Sequence, residues 1–312
     1  MTPAAPMTLG DVFDRWFKLI GASWLRNLIL AAILLGPAAL VFAVSLDLGF
    51  GQILIMDEYD PRNLATVWNF LGWISLGSVI FLIGTVAATV AITITGCAEM
   101  SGRPMSWQEA LRTTFSLRLA RVFGMYLLEF VGFGFLIGIP YALLIGGIAA
   151  ESFPLGFAGG ILIIVSIVAV IYLVINFAFT VPAIAWEQAA VIDGFKRSWT
   201  LVGGNWWRVF GILVLMSLVV SFAVSLVMTP LYIVVLWDFF QAYFELFSSL
   251  GGGEPDPQIA RNMLSSFGFG FGLVNAIASI IQIIVTPLYT VVLYFDLRAR
   301  RGEFNQSSPL PA

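Results

Sequence analysis

The chain has 312 residues, 60% hydrophobic and 11% charged, with a mean hydropathy of +0.96, whereas soluble domains carry about a quarter charged residues. A polytopic membrane protein is therefore expected, and a net charge of −3 gives no reason to expect nucleic acid as a partner. No histidine is present and Cys97 is the single cysteine, which removes the commonest general base, an intrachain disulfide and a cysteine metal site, so no cofactor is expected.

The opening MTPAAPMTLGDVFDRW has no basic segment leading into a short apolar core, so no cleaved signal peptide is expected. Runs with few or no charges then cover 27–46, 63–98, 122–150, 152–186, 209–237 and 262–295. Each reaches the roughly 20 residues that cross about 30 Å of hydrocarbon, which predicts six membrane helices. The third and fourth are divided at Glu151, where Pro154 and Gly156 supply a turn. Between the fifth and sixth, FFQAYFELFSSL predicts a short outer helix and GGGEPDP a flexible break.

Thirteen of the fifteen basic residues fall before the odd-numbered spans or after the last one; only Arg62 and Arg261 fall elsewhere. The positive-inside rule then predicts cytoplasmic termini, a cytoplasmic tail over 299–312 and outer loops at 47–62 and 239–261.

The stretch Glu187 to Ile212, EQAAVIDGFKRSWTLVGGNWWRVFGI, joins the fourth and fifth spans. Ile192, Phe195, Trp199 and Val202 recur at helical spacing with Asp193, Lys196, Arg197 and Thr200 between them. This pattern predicts an amphipathic helix on the membrane surface, followed by a Gly-Gly-Asn turn and a Trp-Trp-Arg anchor. Setting residues 11–26 over 193–208 gives seven identities in sixteen positions, among them Arg15/Arg197, Gly21/Gly203 and Arg26/Arg208. A fainter copy lies at 106–124, where Ser106 and Glu109 have capping-box spacing. The expected architecture is one all-α membrane domain of three repeats, about 8–99, 105–187 and 188–298, each an interfacial helix followed by two spans.

The GFKRSWTLVGGNWWRVFGI hinge, VPAIAWE at 181–187 and LYFDLRARRGEF at 293–304 together resemble the membrane domain fused to some bacterial glycerophosphodiester phosphodiesterases. The resemblance implies a prokaryotic cytoplasmic-membrane protein. It does not imply the phosphodiesterase activity, which belongs to a separate soluble domain with histidines and acids that have no counterpart here.

Two sets of charges recur at equivalent places. Glu99, Glu187 and Asp296 lie where even spans return to the cytoplasm, and Arg26, Arg121 and Arg208 where odd spans leave it. These six predict a cytoplasmic ring of ion pairs. Arg15, Lys18, Lys196 and Arg197 are candidates for anionic lipid headgroups, each contact contributing about 1 kcal/mol. Glu129 lies eight residues beyond Arg121, roughly 12 Å along a helix at about 1.5 Å per residue. It either bonds a polar neighbour such as Asn176, or lines a path with Asn176 and Gln282. The GxxxG pairs Gly134/Gly138 and Gly268/Gly272 predict close helix packing. The function expected is a non-catalytic module that binds membrane lipids, notably anionic lipid, or a membrane-protein partner; the alternative is a small-molecule transporter or lipid translocator.

Overall fold

The structure is a computed structural model that describes residues 5–54, 63–249 and 268–304. Every regular element among the described residues is a helix: α1 (Leu9–Leu34), α2 (Gly36–Leu54), α3 (Asn63–Met100), α4 (Trp107–Thr114), α5 (Leu117–Ala149), α6 (Phe153–Phe177), α7 (Thr180–Ala185), α8 (Val191–Val202), α9 (Trp206–Val235), α10 (Trp237–Ser249) and α11 (Phe269–Arg300). Among the described residues six stretches are long and apolar enough to cross a membrane: α1, α3, α5, α6 with α7, α9 and α11. They mark the chain as a multi-pass membrane protein. Residues 55–62, the GGGEPDP segment and the tail from 305 lie outside the described residues, whereas the expected short helix before that segment is α10.

Two expected spans have a different form. The first, 27–46, is the second half of α1 followed by α2, with the break at Leu35. Gly36 and Pro37 open α2, where proline, which has no N–H to donate, leaves no helical bond unmade. The fourth is interrupted between Phe177 and Thr180. Pro182 cannot donate to the carbonyl four residues before it, so the helix restarts as α7.

The surface helices of the proposed repeats also differ. α8 ends at Val202, and Gly204 turns the chain at φ +80° before α9 begins. The aligned position in the first copy is Ala22, whose Cβ disfavours that conformation, and α1 runs through it unbroken. The first copy therefore has no separate interfacial helix. In the middle copy the expected cap forms: the Ser106 hydroxyl accepts from the Glu109 N–H at 3.2 Å and starts α4.

The described residues divide into two compact units. The first comprises residues up to Gly21, Thr93–Leu215 and from Leu288 onward; the second comprises Ala22–Ile92 and Met216–Pro287. Four helices, α1, α3, α9 and α11, each begin in one unit and end in the other, so the division cuts across the sequence repeats.

The first unit buries Val12, Trp16 and Leu19 of α1, at a spacing that puts one helix face inward. Cys97 of α3, Leu201 of α8 and the α11 run Val291 to Phe295 are buried with them. Within it α5 and α6 form a tight hairpin: a Cβ on Gly159 would overlap the backbone of Leu143 and Leu144, and one on Gly147 the backbone of Gly156. Gly134 and Gly138 instead face open space, contrary to their expected packing role. In the second unit Gly272 does pack closely, against Ala43, and Phe42 stacks on Phe81 at 5.1 Å.

Candidate functional site

The polar groups of the first unit gather where α8, the α6–α7 break and the end of α11 meet. Gly302, at φ +73°, ends α11 in a Schellman turn, in which Gly302 donates to the Ala299 carbonyl at 2.9 Å and Glu303 to that of Arg298 at 3.2 Å. This reversal brings the Glu303 carboxylate within 2.7 Å of both Arg298 Nε and Arg197 Nη2. Arg197 also grips Glu187 with two nitrogens, Nε to Oε2 at 2.9 Å and Nη2 to Oε1 at 3.0 Å. The Tyr294 hydroxyl donates to Glu187 Oε1. Arg298 lies over the rings of Phe304, Tyr294 and Phe295 at 5.2, 5.6 and 5.7 Å, a setting that favours a cation.

The electrostatics follow from this wiring. Burial pushes the Arg197 guanidinium toward losing its proton, but its bonds to Glu303 and Glu187 outweigh that and raise it above the ordinary arginine range. Burial would likewise raise the Glu303 carboxyl, yet the two arginines hold it below its usual value.

A second cluster surrounds Asp296, which is fully buried. Its Oδ1 accepts from the Met7 N–H at 2.7 Å, and its Oδ2 takes Arg300 Nε at 3.0 Å and Arg208 Nη2 at 3.3 Å. Both arginines also donate to the Met7 carbonyl, at 2.7 and 2.8 Å. The backbone N–H and C=O of one residue, Met7, are thus both held by charged side chains.

The remaining contacts are arginine to backbone. Arg118 donates to Ala185 O, the last carbonyl of α7, at 2.9 Å, and Arg121 donates to Gln188 O and Ala189 O in the turn before α8. Gln188 sits at φ +61°, and Arg121 holds its carbonyl. Arg301 caps the end of α8 through Thr200 O and Gly203 O.

Of the six expected ring residues, Arg208 and Asp296 form an ion pair. Glu187 pairs with Arg197, and Arg121 bonds the backbone. Arg26 belongs to the second unit and Glu99 to the first. Among the lipid candidates, Arg197 has only 27% of its side chain exposed and is bonded to two carboxylates. Lys18 and Lys196 are exposed and lie 2.7 and 3.9 Å from Asp14 and Asp193 in their own helices; Arg15 is half-buried on α1. The sequence offered no local signal for Arg197, because Glu303 lies 106 residues away.

The expected bond between Glu129 and Asn176 is absent. Asn176 donates to Tyr172 O of its own helix at 2.8 Å. Its carbonyl accepts from Ser198 Oγ at 2.6 Å, and the same hydroxyl accepts from Phe179 N–H at 3.0 Å. Glu129 lines a 360 Å³ cavity walled by Leu128, Phe133, Leu136, Leu173, Phe177 and Phe195, and has no hydrogen-bond partner among the described residues. Gln282 is an exposed residue of the second unit. Among the described residues no three acids or cysteines are placed to hold a metal.

A family model described as a domain of unknown function (DUF7847) matches residues 28–297. The chain belongs to that family. No curated protein and no solved structure matches it. The family description assigns no activity and makes no link to phosphodiesterase-fused membrane domains.

Proposed function

We propose that this chain is a non-catalytic module of the prokaryotic cytoplasmic membrane, with both termini cytoplasmic, three repeats, and a role in holding anionic lipid or a membrane partner. The observation that carries the reading is the wiring of the first unit. Arg197, Arg208, Arg298 and Arg300 are each tied to a carboxylate, and Tyr294 is tied to Glu187. Groups fixed in mutual ion pairs suit a scaffold better than a reaction centre, which needs a nucleophile and base free to meet substrate. The resemblance to the phosphodiesterase-fused membrane domain supports the same location and the same lack of intrinsic chemistry.

A transport reading has one observation in its favour, the partnerless Glu129 in an apolar cavity. Native mass spectrometry after gentle extraction separates the two. The module reading expects anionic phospholipid or a protein partner to stay bound. Bare protein, together with solute uptake into vesicles that Glu129→Gln abolishes, would overturn it. Orientation is tested by an impermeant thiol reagent on Asp57→Cys and Glu254→Cys in a Cys97→Ala background, where labelling of intact cells is expected.

A further inference from the structure

We propose that the corner between α4 and α5 is a phosphate-binding site, filled by the headgroup phosphate of an anionic lipid or by a free phosphate. This rests on the lipid-binding reading above and moves the site to residues that reading did not contain. A cavity of about 280 Å³ opens here, lined by Thr113, Ser116, Leu117, Arg118, Arg121 and Gln188.

Charge selects the ligand. The half-buried arginines of α8, α9 and the end of α11, Arg197, Arg208, Arg298 and Arg300, each have a carboxylate on them. Arg118 and Arg121 have no carboxylate partner among the described residues. Each uses only Nη1, on the α7 and α8-turn carbonyls. A guanidinium has five N–H donors in a planar fork, so Nε and Nη2 of both remain for an oxyanion. The hydroxyls at the cavity already donate to backbone, Thr113 to Glu109 O and Ser116 to Thr113 O. The guanidiniums are therefore the donors, which favours an anionic oxygen ligand over a neutral polar one. On α4, exposed Arg112 is balanced by exposed Glu109, leaving the pair in the cavity as the net positive charge.

The rim points to a lipid as one source of that phosphate. Phe115 and Leu117, flanking Ser116, are each 63% exposed. Apolar side chains beside a cationic cavity match the boundary between headgroups and acyl chains.

The test uses the full chain in detergent and Ser116→Asp as the principal variant. Aspartate caps a helix as well as serine does, so α5 keeps its start while the cavity mouth gains a negative charge. Arg118→Gln/Arg121→Gln is the second variant, with circular dichroism and Tm as the fold check, because those side chains also hold the α7 and α8-turn carbonyls. Purified protein is offered phosphatidylglycerol or phosphatidylcholine in mixed micelles, and separately inorganic phosphate. Wild type should retain phosphatidylglycerol at least tenfold over phosphatidylcholine, and Ser116→Asp should lose that preference with its helical circular dichroism unchanged. Preference for phosphatidylglycerol that inorganic phosphate does not displace assigns the lipid. A Tm rise with inorganic phosphate, absent in Ser116→Asp and without lipid preference, assigns free phosphate. Preference kept by Ser116→Asp removes this site and leaves the lipid-binding reading intact. No response of wild type to either probe removes both.

Discussion

The Ser198 hydroxyl accepts the N–H of Phe179 at 3.0 Å, and so repairs the helix that Pro182 interrupts. The same oxygen donates to the Asn176 carbonyl at 2.6 Å. One side chain of α8 thereby satisfies a donor and an acceptor that the α6–α7 break leaves open, in a place with no access to water, since Ser198 and Phe179 are fully buried. Ser198→Ala strands both groups. It should cost about 1–3 kcal/mol for each buried group left unsatisfied. Unfolding in detergent, followed by tryptophan fluorescence, measures this, and a loss under about 0.5 kcal/mol would show that the break finds other partners.

The bidentate contact between Arg197 and Glu187 makes a coupling prediction. Glu187→Gln combined with Arg197→Gln should be non-additive by about 0.5–3 kcal/mol, the range for residues in one ion-pair network. Glu187→Gln with Arg208→Gln should be additive, because Arg208 serves Asp296 and Met7 instead. Coupling in the second cycle and none in the first would replace this wiring with the one expected from sequence symmetry.

Glu303 makes the stability pH-dependent. Its carboxyl titrates below its ordinary value of 4.5 when folded, because Arg197 and Arg298 bond the ionised form more than burial opposes it. A lower folded than unfolded value means that the ionised group stabilises the fold fully above about pH 4.5, and that this part is lost as pH falls through the folded value. Glu303→Gln should therefore lower Tm at pH 7 and have less effect at pH 3. Equal losses at the two pH values would show that the ionised carboxylate is not what Arg197 and Arg298 hold.

Much of this architecture can be read from the residues alone. The six apolar runs, the Ser106 cap, the turn at Glu151 and helix α10 all follow from local pattern. What could not be read depends on a single atom or on distant chain. α8 and the corresponding part of α1 share a sequence pattern, yet Gly204 ends one helix and Ala22, with its Cβ, lets the other continue. Asn176 is the polar neighbour that the sequence offers Glu129, but residue spacing fixes height along a helix and not the direction a side chain takes. Arg197 and Arg15 align in sequence, and only the reversal at Gly302 decides that Arg197 meets Glu303.

The α5–α6 hairpin should be intolerant of the smallest added group. Gly159→Ala puts a methyl into the backbone of Leu143 and Leu144, and overpacking of this kind costs about 1–3 kcal/mol. Gly134→Ala, which meets open space, is its control and should be neutral or slightly stabilising. Equal effects in thermal unfolding would mean that the hairpin is looser than its glycines require.

Glu129 has no donor to lose among the described residues, and its cavity is apolar. Glu129→Leu should thus hold or raise Tm, because it removes a carboxyl from hydrocarbon without leaving a partner unsatisfied. A fall of several degrees would reveal a group that bonds Glu129 in the membrane and would favour a functional path there.

The grip of Asp296, Arg300 and Arg208 on Met7 also sets an order for biosynthesis. Met7 and Asp296 are separated by 289 positions, so at about 5–20 residues per second a ribosome needs roughly 15 to 60 s to supply the second after the first. Throughout that interval the Met7 N–H lacks Asp296 and the Met7 C=O lacks Arg300. Closure of this unit is therefore a post-insertion event, governed by arrival of the last helix. A nascent chain stalled short of Asp296 should remain open to protease at its N-terminal segment, however completely its earlier helices have entered the bilayer.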